Sequence, residues 1–311
     1  MNSMQPAFEK SYRQFNIWLG IICITILVLM VMLVINNSID TLKEQLRENA
    51  QQVYQNTQEA LHAGENVLNG YRAYFKTVDV VDYRKLEEYS RSIRKEHPFI
   101  YMTQYMMRVE NSELPDFLHE RRLEGYATFR VTEYDSKEFR TLIPVTERGV
   151  YYPLVFMDPM DVPSLPLLGF DVVSFPLIRD AVDEAIRTGK ARATKPFTLH
   201  TGGTGYVIIS PIYTADTLPE NKILRYDLAT RLVAVAIKTD NILQGIDIDD
   251  NESLTYSYFD DESRTNTISR TINSDVINRH SLFPVYSYSH TLDVAGQNYL
   301  FELKRQLTLA D

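Results

Sequence analysis

The stretch GFDVVSFPLIRDAVDEAIRTGKARATKPFTL, residues 169–199, decides how the chain folds. Ser174 lies just ahead of Pro176 where a helical pattern starts, which predicts a capping hydroxyl with proline in the first turn. Ile178, Ala181, Val182, Ala185 and Ile186 then recur at i, i+3, i+4, i+7 and i+8, the spacing of one apolar helix face. Arg179, Asp180, Asp183, Glu184 and Arg187 fall on the other face, where water and i,i+4 pairing suit them. Gly189 stands where a left-handed residue closes a helix. The carboxylates therefore read as a wet helix face. Acid–base chemistry needs carboxyls held in a cleft with their pKa values driven apart, and no such pair is visible, so no catalytic residue is expected.

Outward from this helix, short apolar runs predict strands on both sides. Residues 99–109 (FIYMTQYMMRV), 127–134 (ATFRVTEY) and 149–159 (GVYYPLVFMDP) precede it, with a helix over 111–125. After it, ATKPFTLH and YVIISPIY predict a hairpin around TGGTG, residues 201–205, and RLVAVAIKT, residues 231–239, is almost continuously apolar, as a central strand is. Later runs, SLTYSYFD and YLFELKRQ, predict further strands. Strands with helices on one side give an α+β class, and the polar loop 214–227 is expected to divide two units, 81–215 and 216–311.

Before these units, residues 17–35 (IWLGIICITILVLMVMLVI) carry no charge, and Thr25 is the only polar side chain. At about 1.5 Å per residue the run approaches the roughly 30 Å of a bilayer core, so a transmembrane helix is expected over 17–36, after a cytoplasmic tail of 1–16. A cleaved signal peptide would have a shorter apolar core and small residues at its end. Lys10 and Arg13 precede the span and acids crowd Lys43 and Arg47 after it, so the positive-inside rule puts everything past about residue 36 outside the inner membrane, periplasmic or extracellular. From Ile39, apolar residues return every seven positions through Leu46, Val53, Ala60 and Val67, predicting a stalk helix over 37–80. Asn49 and Asn56 on that seam suit a homodimer, although the stripe could instead pack on the chain's own domain.

Composition excludes several functions. A net charge of −9 leaves no basic patch for phosphates, so nucleic acid is not an expected partner. TGGTG lacks the Gly-Lys-Ser/Thr ending of a phosphate loop and reads as a turn. The six histidines are scattered, the single cysteine lies in the apolar span, and the acids of residues 247–252 lack a calcium loop's glycine and distal glutamate. No metal and no cofactor are expected.

In order, the chain presents Tyr152 and Pro153, the step Gly169 to Asp171, Thr188 and Gly189 at the helix end, Thr194 to Phe197, and Pro211 to Tyr213. This set resembles the CHASE domain, the extracellular sensory module of membrane-bound histidine kinases and nucleotide cyclases. The resemblance implies a long helix supporting two PAS-like α/β subdomains, with a small ligand in the membrane-distal one. It also implies a ligand site at Val172, Ile178, Thr194, His200 and Ile209, joined by Asp171 of the Gly-aromatic-Asp step. Plant cytokinin receptors of the family have aspartate and threonine where this chain has Ile178 and Ile209, which points to a less polar ligand here. The implied function is the input part of a histidine kinase or diguanylate cyclase. The chain itself is then no enzyme, and the effector lies beyond residue 311. The alternative is a stand-alone anchored binding or assembly protein acting through a partner.

Overall fold

The computed structural model describes residues 5–78, 80–138, 140–161, 164–214, 218, 220–242, 246–260, 265–277 and 284–307. One helix, α1 (Gln5–Thr77), carries both the apolar run and the stalk without interruption. Residues 18–35 of it are exposed along their whole length, and the helix is long and apolar enough to cross a membrane. The Thr25 hydroxyl donates to the Ile21 carbonyl at 2.8 Å, so the one polar side chain of the run is satisfied by its own helix, as hydrocarbon requires.

There follow α2 (Tyr83–Glu96), β1 (Ile100–Met107), β2 (Val109–Glu110), α3 (Leu114–Leu123), β3 (Thr132–Tyr134), β4 (Leu142–Pro144), β5 (Val150–Tyr151), β6 (Leu154–Asp158) and α4 (Pro176–Thr188). Then come β7 (Arg192–Ala193), β8 (Phe197–Thr198), β9 (Thr204–Tyr213), α5 (Lys222–Leu228), β10 (Ala229–Lys238) and α6 (Thr239–Ile242). Last are β11 (Glu252–Asp260), β12 (Thr265–Ile272), β13 (Val285–Val294) and β14 (Gln297–Gln306). The fold is α+β, as expected.

Two antiparallel sheets lie along α1. The larger runs β6-β1-β10-β9-β7 with β8 on β9, and the smaller β12-β11-β14-β13. The larger sheet sits at the end of α1 far from the apolar run. Gly64 faces it so closely that an added methyl would stand 3.1 Å from Ile208 Cδ1, Phe75 stacks on Tyr105 at 4.3 Å, and Arg231 donates to the Phe75 carbonyl. The smaller sheet sits nearer the apolar run, where Tyr54 meets the Phe301 and His290 rings at 5.8 and 4.6 Å. Its hairpin turn reaches the larger sheet: Ala193 N–H donates to the Ala295 carbonyl at 3.0 Å and the Gln297 amide to the Ala193 carbonyl at 3.1 Å. Tyr256 stacks on Tyr299 at 4.7 Å, with Tyr206 of the larger sheet 5.6 Å from Tyr299, so the core is continuous from one sheet to the other.

Two expectations are corrected, and the seam takes the second of its two alternatives. The division at residue 215 falls inside the larger sheet, because β10 is hydrogen-bonded between β1 and β9; the change of sheet comes between Lys238 and Glu252. The stalk seam is covered by this chain itself from Leu46 onward. Leu46, Ala50 and Val53 are buried in the core and Asn49 donates to both carboxylate oxygens of Glu252, at 2.9 and 3.1 Å, while exposed Asn56 accepts from Gln52. Finally, Ser174 is not the cap of α4. A 3-10 turn, Val172–Ser174, occupies those residues, and the serine hydroxyl donates within it to the Asp171 carbonyl. Phe175 takes the cap position with Pro176 next, all five apolar face residues are buried, and Gly189 ends α4 at φ 72°.

Candidate functional site

Strand alternation sorts the larger sheet into two faces. Thr103, Tyr105, Ile208, Val235 and Ile237 turn toward α1; Met102, Gln104, Leu154, Val207 and Ala236 turn the other way. On that second face the first turn of α4, the 3-10 turn and the Leu199–Thr204 hairpin close over a cavity of about 50 Å³. Its walls are largely aromatic. Tyr134 meets Phe170 at 4.6 Å and Phe175 edge-on at 5.7 Å, and Phe175 meets Phe197 at 5.3 Å.

The polar groups are few and uncharged. The Gln104 amide donates to Met102 Sδ at 3.3 Å, a weak acceptor that leaves most of its hydrogen-bonding capacity for another partner. His200 stacks parallel to Tyr134, with Nδ1 3.3 Å from the phenol oxygen. Burial, reinforced by Arg140, lowers the His200 pKa and keeps the imidazole neutral at pH 7; burial pushes the Tyr134 phenol up to about 12. Among the described residues, no side chain lining the cavity carries a carboxylate, ammonium or guanidinium. At the rim the Tyr101 hydroxyl donates to Thr201 Oγ1 at 2.8 Å, tying β1 to the hairpin, while Lys238 lies 3.9 Å over the Tyr101 ring from outside. Gly202 and Gly203, at φ 90° and 79°, make the tight turn that the glycine run predicted.

Of the residues implied by resemblance, Val172, Ile178 and His200 meet on this cavity. The other three do not line it. Thr194 is buried in sheet pairing, its hydroxyl accepting from Val207 N–H at 3.1 Å, and it borders a different groove beside Arg192 and Gln297. Ile209 lies in the core with Val182 and Ile186 beneath α4. Asp171 is fully buried as a strut: it accepts from Tyr152 N–H at 2.7 Å and lies 3.2 Å from Arg148. Burial raises its pKa to about 6, against the opposing pull of the Tyr152 amide and Arg148. The sequence reading missed Gln104, Tyr134, Phe175 and Phe197. The signal for Gln104 was its alternation with Met102 on a strand, which becomes useful only once the face is known.

Residues 79–269 match the family model of the CHASE domain. No curated protein matches the chain. Among solved structures it is similar to an extracellular ligand-binding receptor from Desulfohalobium retbaense, at 11% identity and a TM-score of 0.48, covering 84% of this chain and 40% of that one. It is also similar to the extracellular domain of a protein described as a histidine kinase, at 11% identity and 0.40, covering 86% and 94%. A third is a methyl-accepting chemotaxis protein, at 8% identity and 0.36, covering 85% and 93%. The chain thus spans less than half the length of the first of these.

Proposed function

The chain belongs to the CHASE domain family, and from that premise we propose that it is the membrane-anchored input module of a signalling protein, which binds a small, uncharged, mostly apolar molecule outside the membrane. One observation carries this reading: the neutral aromatic cavity lies on one face of a sheet whose other face is seated on α1, the helix that continues into the apolar run.

A ligand is held by the aromatic walls and offers one polar edge to Gln104 and His200. A charged ligand is disfavoured, because the cavity supplies no countercharge to offset desolvation. The space of about 50 Å³ is far below the roughly 300 Å³ of small binding sites, so entry requires the Tyr101–Thr201 bond to open and the hairpin to move outward. A ligand that favours the open hairpin shifts the population toward it. The displaced β9 and β10 bear on α1 at Gly64, and α1 carries the shift to the membrane as a helix movement. Lys10 and Arg13 ahead of the apolar run support a cytoplasmic N-terminus, and on this reading the output belongs to an effector domain or partner.

The test is a thermal-shift screen of the full chain in detergent against uncharged aromatic metabolites, repeated on Ala236→Leu, which fills the cavity floor. A compound that stabilises the native chain and not the variant supports the reading. Equal stabilisation of both, or none by any compound, removes the cavity from consideration.

A further inference from the structure

A second concavity shares no lining residue with the aromatic cavity. It is an open groove of about 580 Å³ along α4, closed on its other sides by Arg108, the Thr146–Val150 segment and Tyr226. Val182 and Ile186, both buried, form an apolar floor with Val150 and Val173. Three guanidiniums stand around it, those of Arg108, Arg148 and Arg179, on a chain whose net charge is −9.

These cations are not equally occupied. Arg148 is committed to Glu133 and to Asp171. Arg108, its side chain mostly buried beside Tyr152, pairs at 2.9 Å with Glu110, a half-exposed carboxylate. Arg179 donates Nε to the Val173 carbonyl at 2.7 Å and Nη2 to the Ser174 carbonyl at 3.2 Å. Both acceptors are neutral, and among the described residues no carboxylate lies within ion-pair distance of it; Asp183, one turn along α4, offsets its charge only through space. Such a guanidinium is prepared for a carboxylate. We infer that the groove is a second binding site, for a small amphipathic carboxylate with an aromatic or hydrocarbon body. The carboxylate meets Arg179 and Arg108, and the body lies on the half-buried Val150 and Val173, above Val182 and Ile186. An inorganic anion would leave Val150 and Val173 in water, and a neutral ring would leave Arg179 without a charged partner. The volume suits one small molecule. Asp183 and Glu147 also line the groove and oppose the anion; burial and neighbouring Asp180 raise the Asp183 pKa against the pull of Arg179.

The experiment is fluorine NMR of 4-fluorobenzoate with the full chain in detergent, with 4-fluorobenzyl alcohol as the neutral comparator. Binding of the acid over the alcohol is expected, weakened about tenfold by Arg179→Gln, the loss of one charge-assisted contact. Asp183→Asn should tighten it about threefold, because it removes a repelling charge. This opposite sign keeps the idea testable even if an arginine variant folds poorly. Ala236→Leu should leave binding unchanged, which separates this groove from the aromatic cavity. Equal binding of acid and alcohol, indifference to both Arg179→Gln and Asp183→Asn, or loss in Ala236→Leu would each overturn the assignment.

Discussion

The two sheets rest on one helix yet differ in what covers their second face. In the larger sheet β9 and β10 are buried along almost their whole length, because α1 covers one side and α4 with its flanking turns the other. In the smaller sheet β11 is buried on both faces, but β13 is mostly exposed and β14 alternates, so the cover of its second face gives out on the β13 side. The aromatic cavity lies on the doubly covered sheet, between its second face and the layer of α4 and its flanking turns. The smaller sheet acts as a brace: Asn49 holds Glu252 at its edge, and its hairpin turn contacts Ala193 of the larger sheet.

The sharpest way to break that contrast is to open the covering layer of the larger sheet. Gly169 sits at φ 91°, where an added Cβ would fall 2.1 Å from the Arg130 carbonyl oxygen, a backbone atom with no room to retreat. Gly169→Ala should cost at least about 3 kcal/mol and lower the unfolding temperature seen by circular dichroism. A variant as stable as the parent would show that this layer is not tightly held.

Next in size is a pH effect at the same layer. Burial pushes the Asp171 carboxyl, which faces Arg148 and Glu133, up to about 6 from the 3.8 of an ordinary aspartate. The folded state binds this proton more tightly than the unfolded one, so ionised Asp171 opposes folding above about pH 6. That penalty fades as pH falls toward 3.8, a change of up to about 3 kcal/mol from this group. Wild type minus Asp171→Asn should therefore show a stability difference that grows in favour of wild type as pH drops from 7 to 4. A flat difference in chemical denaturation across that range would mean the carboxyl titrates normally.

Much of the local structure was legible in the sequence. The buried face Ile178 to Ile186 and the left-handed Gly189 follow from spacing along one segment, and the apolar run from composition. What failed depended on distant pairing. The run 231–239 announced a central strand, but nothing in it says that its neighbours are β1 and β9 rather than the strands that follow. The seam through Leu46 and Val53 announced a helix needing a partner, and could not say that the partner is 200 residues downstream in the same chain. Val172, Ile178 and His200 were found through resemblance, whereas Gln104 and Tyr134 join the cavity only through cross-strand register. Ser174 looked like a cap because its chemistry suits one; a tighter turn used the hydroxyl first.

At the brace, the expected effects are smaller. Glu252 is fully buried, and Asn49 supplies both of its side-chain amide contacts, while Arg305 stands 3.9 Å away. Asn49→Ala should cost about 2 kcal/mol by leaving a buried carboxylate poorly paired, and should raise the already elevated Glu252 pKa further. If urea denaturation showed no loss, solvent would have to reach Glu252 and the brace would be looser than its burial implies.

The least disruptive change lies in the hairpin turn that joins the brace to the larger sheet. Ala295 and Gly296 occupy it with φ of 48° and 86°, both left-handed, as a two-residue turn matched to strand twist demands. Gly296→Ala places its Cβ 3.3 Å from Arg192 Cδ, a flexible chain that can move aside, so the cost is the backbone term alone, about 1 kcal/mol. Ala295 bears similar strain but is buried, so Ala295→Asn would set a better tolerance of the left-handed region against the burial of an amide. The Ala193–Ala295 contact uses backbone atoms and survives Gly296→Ala. A small fall in unfolding temperature is therefore expected from Gly296→Ala. An unchanged unfolding temperature would mean that backbone conformation does not govern this joint.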